Sequence, residues 1–424
     1  MRPSQFVVAL SLLLSGAAVA QDKAADATVR AIMSSAGFRQ AAAALDRGHD
    51  QWIADSITLT EIPAPPFKEE ARAKAYAEML RQRGLDVEID EEGNVLALRA
   101  GSAAGPLVIV SAHLDTVFPE GTDVKVRREG EKLHAPGIGD DSAGLSAILS
   151  LVDAMNAAQI RTRSGILFVG TVGEEGLGNL RGVRHLFTKG KYQDRASAFF
   201  SLDGSGMDRI TTAGTGSKRY RVTYKGPGGH SYGAFGIVNP MAALGQTVVD
   251  LYKVEVPSSP KTTYSASVVG GGTSVNTIPE EVWLQVDMRS EDPAPLAKLE
   301  REFLAIVDRA AAAENRARST SDGKVSADPK LIGDRPPGRT AASADIVRFA
   351  EAAYRAEGIA VKPAASSTDA NLPMSLGIPA VTMSRVATAG RAHAPDEWIG
   401  IEKADNVKLK RILLATILAT AGVP

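Results

Sequence analysis

A mostly parallel α/β sheet, interrupted by a smaller inserted α+β domain, is the fold that the sequence predicts, and three observations carry it. Short apolar runs at residues 107–110, 166–169 and 198–202 read as strands buried on both faces. Between the first two, Leu145, Ile148, Leu149, Val152 and Met155 recur at the 3.6-residue period of a buried helix face. Residues 216–328 then order their own elements as β-α-β-β-α-β, the ferredoxin-like pattern.

Taken in chain order, the first element is a leader. Arg2 precedes an apolar run over residues 6–14, and small residues follow, ending in Ala18-Val19-Ala20. That layout predicts a secretory signal over residues 1–20, a mature chain beginning near Gln21, and a periplasmic or secreted destination. The run is shorter than the roughly 20 apolar residues a membrane-spanning helix needs. A helix is expected over residues 68–83, between Pro65-Pro66 and Gly84. Asp86, Glu88, Asp90, Glu91 and Glu92 surround Val87 and Ile89, which reads as the wet face of an edge strand and its turn.

In the middle segment, strands are expected at 220–224, 263–269, 282–288 and near Val325, with helices opened by Asn239-Pro240 and running over 296–315. Residues 334–338 (Asp-Arg-Pro-Pro-Gly) read as a linker, after which a helix over 344–357 and a strand over 378–383 restore the α/β pattern. At 424 residues the chain exceeds the roughly 250–300 residues that one core serves. The expected layout is therefore a larger domain from residues 21–215 and 329–424, with 216–328 inserted into it.

A net charge of -1 supplies no field suited to nucleic acid. With no cysteine there is neither a disulfide framework nor a thiol nucleophile, and a metal would be held by His, Asp and Glu alone. His230 and Ser231 are adjacent, and adjacency by itself does not make the nucleophile–base pair of a serine hydrolase.

Five acidic or imidazole clusters fall just after expected strands or in connecting loops: His113-x-Asp115, Asp140-Asp141, Glu174-Glu175, Asp203 and His393. Singly, each has a plain structural reading. An aspartate of the pair could cap the helix beginning near Ser142, Asp203-Gly204 could be a turn, and Glu174-Glu175 a solvated loop. Jointly, three apolar strands ending in such groups, with the Ala135-Pro-Gly-Ile-Gly139 approach to the aspartate pair, point to a ligand site beyond the strand ends.

The stretches S-A-H-L-D-T, P-G-I-G-D-D-S-A-G, G-E-E-G, S-L-D-G and A-H-A-P-D-E resemble the zinc peptidase family of clan MH that includes peptidase T, glutamate carboxypeptidase, aminoacylase and acetylornithine deacetylase. In the inserted segment, K-G-P-G-G-H-S, G-G-T-S-V-N-T-I-P and D-M-R resemble that family's lid and dimerisation domain. The resemblance implies two zinc ions, or cobalt, per subunit. Asp140 would bridge them, His113 and Asp203 would complete one site, and Glu175 and His393 the other. It implies Glu174 as general base, Asp115 as the partner that orients His113, and His230 as an oxyanion donor reaching the opposite subunit of a homodimer. Arg289 and Asn276 would hold the substrate's carboxylate and backbone. Many members carry Lys where this chain has Ser142.

The function so implied is an exported exopeptidase acting on di- and tripeptides. An N-acyl amino acid amidohydrolase on the same scaffold, and a noncatalytic dimeric metal-binding protein, are the other two readings. Neither nucleic acid nor, for the mature chain, a membrane is expected as a partner.

Overall fold

The computed structural model describes residues 22–423, so the expected leader over residues 1–20 lies outside the described residues. The described residues form two compact units, one comprising those up to Gly214 and from Arg339 onward, the other Thr215–Gly338.

The first unit is built on a sheet whose neighbouring strands run Asp86–Ile89, Val95–Arg99, Ile166–Thr171, Leu107–His113, Ala196–Ser205, Ala380–Val386, Arg209–Gly214. Its centre is parallel: the His113 strand pairs with Ile166–Thr171 on one side and with Ala196–Ser205 on the other, and Ala380–Val386 extends the parallel set. The two acidic-edge strands are antiparallel. Pleating divides the side chains between two layers. Val108 and Val110 face a core shared with the helices Glu70–Gln82, Ala143–Ala157, Asp345–Ala356 and Lys403–Ala421, while Leu107 and Ile109 face a second cluster with Leu180, Val183 and Leu186. Burial on both faces is why these strands read as unbroken apolar runs rather than as alternation.

The helix Ala143–Ala157 buries Leu145, Ile148, Leu149, Val152 and Met155 as its period requires. Each large side chain so buried contributes about 1.5–3 kcal/mol. Gly144 lets this helix start close to the sheet: a Cβ there would meet Asp141 Oδ1 at 2.1 Å and the Leu202 carbonyl at 2.4 Å. Upstream, helices at 22–34, Ala36–Arg47 and His49–Thr60 were not assigned from the sequence. His49 is buried with its Nε2 2.9 Å from the Ile401 carbonyl, a structural role. Among the described residues no helix is long and apolar enough to cross a membrane.

The second unit holds an antiparallel sheet in the order Thr262–Gly271, Glu281–Ser290, Gly216–Lys225, Ser326–Arg335, with the helices Pro240–Leu251 and Pro293–Ala317 sharing its core. This is the ferredoxin-like arrangement. Asn239 accepts from the Met241 N–H at 2.9 Å and Asp292 from the Ala294 N–H at 2.8 Å, each capping a helix with proline at its first position. One boundary differs from expectation. The last strand does not end near residue 328 before a linker; it runs to Arg335, pairing from Ser326↔Lys225 to Arg335↔Ser217, and the unit ends at Gly338. As an edge strand it pairs on one side only, which tolerates Pro329 and needs no apolar run to announce it.

Candidate metal centre

Parallel strands deliver the site residues to one edge of the sheet. His113 ends its strand opposite Thr171, so Glu174-Glu175 follow the neighbouring strand onto the same edge, and Asp203 lies in Ala196–Ser205 on the other side. Asp140 belongs to the turn that enters the helix Ala143–Ala157, and His393 to the loop after Ala380–Val386. His393 has φ 66°, a left-handed conformation uncommon outside glycine and a form of local strain that gathers at functional sites.

Seven residues singled out from the sequence meet here. Asp140 stands between two imidazoles: His113 Nε2 is 2.9 Å from its Oδ1, and His393 Nε2 is 3.3 Å from its Oδ2. His393 Nε2 is also 2.7 Å from Glu175 Oε1, and His113 Nε2 is 3.9 Å from Asp203 Oδ1. Donor atoms of His113, Glu174 and Asp203 lie within 4.8 Å of one another, as do those of His113, Asp140 and Glu175. His113, Asp115, Glu174 and Glu175 are buried, whereas the His393 side chain is 54% exposed.

Asp115 does something other than expected. The His113 Nδ1 lies 3.0 Å from the Asp115 backbone carbonyl, while the Asp115 carboxylate is 3.7 Å away, too far for a hydrogen bond. That carboxylate instead accepts the N–H of Glu174 at 3.0 Å and of Glu175 at 2.8 Å. The ring is thus oriented by the main chain of Asp115, and both glutamates are oriented by its side chain.

Two groups at the site, Glu397 and Arg385, escape the sequence reading, and Asp141, named there only as one of an aspartate pair, gains a role. Asp141 accepts the His113 backbone N–H at 2.9 Å. Glu397, within the A-H-A-P-D-E stretch, accepts the N–H groups of Gly137, Gly139 and Asp140 at 3.0, 2.8 and 2.8 Å, which fixes the turn that carries Asp140. Arg385 sets its guanidinium among Asp140, Asp141 and Asp203. A cation inside the buried strand Ala380–Val386 was the signal available for it.

The electrostatics are those of crowded carboxylates. Burial, with the charge of Asp140 beside it, pushes Asp203 up to about 7, and burial pushes Asp141 well above the ordinary carboxylate range. Burial acts on Asp140 in the same direction, but Arg385 and the two imidazoles hold it well below that range. Hydrogen bonds to Asp140 and Glu175 raise His393 to about 10. Two ring nitrogens turned toward opposite oxygens of one carboxylate, with further carboxylates around them, form an oxygen and nitrogen donor set that fits divalent zinc-like ions.

The remaining expected site residues lie in the second unit. His230 is exposed and its Nδ1 accepts the N–H groups of Tyr232 and Gly233 at 3.2 and 3.3 Å. The Ser231 N–H donates to the Asn276 carbonyl at 2.9 Å, so His230 and Asn276 adjoin. Arg289 pairs with Asp287 of its own strand at 2.7 Å. Residues 229–233 also spell G-x-S-x-G, but they form a two-residue strand and a turn instead of the strand-to-helix elbow a serine nucleophile needs.

The model of Peptidase family M20/M25/M40 matches residues 109–419. A Pyrococcus abyssi protein named as a LysW-lysine/LysW-ornithine hydrolase is 36% identical over 118 residues, 28% of this chain and 32% of that protein. A Mycobacterium tuberculosis protein named as the succinyl-diaminopimelate desuccinylase DapE is 31% identical over 96 residues, 23% of this chain and 27% of its own length. Each of these curated relatives is thus matched over a third of its length or less. Among solved structures, aminopeptidase PepT from Bacillus cereus shares the fold at a TM-score of 0.70 and 20% identity, covering 88% of this chain and 99% of that one.

Proposed function

Because the chain belongs to Peptidase family M20/M25/M40 and is a metal-binding hydrolase of that family, we propose that it is an exported two-zinc exopeptidase cleaving di- and tripeptides. The observation that carries the reading is Asp140, whose two oxygens face two imidazoles, with Glu174 buried beside them.

In this reading His113, Asp203 and Asp140 hold one ion, and Asp140, Glu175 and His393 the other. When bound, such ions polarise an amide carbonyl and acidify a water molecule. Glu174 takes the proton of the attacking water and returns it to the amine nitrogen that leaves, one carboxylate serving as base and then acid. Asp115 keeps Glu174 and Glu175 in place through their backbone N–H groups. His230 donates to the oxyanion, and Asn276 and Arg289 hold the substrate's backbone and carboxylate; motif resemblance supports these three roles.

Export is supported by the apolar run and Ala18-Val19-Ala20 at the start of the chain. A homodimer through the second unit is supported by the edge strand Thr262–Gly271, which pairs on one side and exposes Val268 and Val269. A second reading, an N-acyl amino acid amidohydrolase, is favoured by the similarity to a protein named as a desuccinylase.

The test is hydrolysis of a panel of di- and tripeptides and N-acetyl amino acids by the protein from Gln21, before and after chelation and zinc readdition. Turnover lost on chelation, restored by zinc and absent in Glu174→Gln is expected, and the preferred substrate decides between the two readings. Turnover indifferent to chelation would overturn both.

A further inference from the structure

Arg385 is a buried cation of the centre to which the two-zinc mechanism gives no part. It projects from the strand Ala380–Val386 with its side chain 6% exposed. Nη1 donates to Asp203 Oδ1 at 2.5 Å, Nη2 stands 3.5 Å from Asp140 Oδ1, and Nε 3.3 Å from Asp141 Oδ1. Asp203 Oδ1 and Asp140 Oδ1 are the same two oxygens that face His113 Nε2.

The two sides of Asp140 are therefore unlike. On the His113 side, the carboxylate oxygens already serve a buried guanidinium, a group that keeps its charge in proteins. On the other side, Asp140 Oδ2 and Glu175 Oε1 face His393, and among the described residues that imidazole is their ion-pair partner. An imidazole nitrogen is itself a metal ligand, whereas guanidinium has no lone pair to give and carries a positive charge that repels a cation.

We propose that Arg385 makes the two metal positions unequal: the ion held by Asp140, Glu175 and His393 binds tightly, while the ion held by His113, Asp203 and Asp140 competes with the guanidinium for its oxygens and binds weakly. The chain as isolated then retains one ion, and the second loads only when free metal is abundant. The guanidinium also holds Asp203 and Asp140 in position while the second ion is away, so the weak site stays formed between loadings. This inference rests on the metallohydrolase reading and concerns how its ions are shared out.

Zinc content of the full chain after dialysis against metal-free buffer, followed by calorimetric titration with zinc alone, tests it. The wild-type protein is expected to retain one zinc and to take up a second with an affinity weaker by roughly tenfold or more, the scale on which one charge-assisted hydrogen bond competes. Asp203→Asn should keep the retained zinc and His393→Asn should lose it, which locates the tight position without altering Arg385. Arg385→Gln, which removes the charge and keeps a polar side chain, should raise retention toward two. Two zinc ions retained with equal affinity by the wild type would overturn the proposal and leave the two-zinc reading intact, as would a zinc lost in Asp203→Asn and kept in His393→Asn. A folded Arg385→Gln with unchanged affinities would overturn the role of Arg385. No zinc retained or taken up by the wild type would overturn the metallohydrolase reading and this inference together.

Discussion

Asp115 Oδ2 accepts the backbone N–H of Glu175 at 2.8 Å, so a carboxylate at the end of one strand fixes the main chain that follows its neighbour. With its other oxygen on the Glu174 N–H, the same side chain sets the position of a proposed ligand and of the proposed base together.

Asp115→Asn should therefore disturb both. An amide offers one acceptor oxygen where the carboxylate offers two, and its NH2 would face a backbone N–H. The expected result is a fall in kcat/KM and in metal retention of about 10–100-fold, the usual range for groups that support metal ligands. Steady-state kinetics with zinc analysis on the same sample checks it, and unchanged kinetics would remove Asp115 from this role.

Glu174→Gln removes the proton acceptor and leaves a side chain of equal size. The expected loss in kcat is about 10²–10⁴-fold, with zinc content and thermal midpoint near those of the wild type. A variant that loses zinc in step with activity would make Glu174 a ligand instead.

The metal-free protein should lose stability as pH rises. Asp203 has its proton held up to about 7 in the folded chain, against an ordinary value of 3.8, so between those values the folded state binds more protons and stability declines with pH. His393, raised to about 10 from 6.5, contributes stability present in full below 6.5 and lost as pH climbs through 10. Asp140, held low, is ionised in both states above about pH 5 and adds no slope there. Denaturant midpoints in chelator should fall between pH 5 and pH 9. Added zinc should flatten the curve; a profile that rises with pH in chelator would contradict these shifts.

Gly144→Ala tests the close approach of the helix Ala143–Ala157 to the sheet. A Cβ at 2.1 Å from Asp141 Oδ1 and 2.4 Å from the Leu202 carbonyl forces backbone to move. A loss of about 1–3 kcal/mol is expected although alanine is the better helix former, together with weaker metal retention because Asp141 must shift. Urea denaturation of the two proteins measures it.

The parts legible in the sequence are those written in local pattern. The Leu107–His113 and Ile166–Thr171 strands show because burial on both faces demands consecutive apolar residues, and Asn239-Pro240 shows because a cap has its own chemistry. His113, Asp140, Glu174, Glu175, Asp203 and His393 stood out through motif and strand-end position together. What stayed hidden depends on pairing at a distance. Glu397 reaches back to Gly137 across 260 positions of chain, and Arg385 gains its meaning from three aspartates on other segments. The final strand Ser326–Arg335 is set by the ten-residue strand it pairs with, not by any apolar signature of its own. The partner of the Asp115 side chain, likewise, was decided by a difference of under one ångström between ring and carboxylate reach.

The insertion of Thr215–Gly338 between the two parts of the first unit has a temporal side. A ribosome delivers His113, Asp140, Glu174, Glu175 and Asp203 early, then the entire second unit, and only afterwards Arg385, His393 and Glu397. Until that last stretch emerges, Asp140 has one of its two imidazoles, and the turn that carries it lacks the carboxylate that ties it down. A nascent or prematurely terminated chain that stops short of His393 and Glu397 therefore lacks part of the centre, and the proposed metal site can be completed only once that stretch has been made.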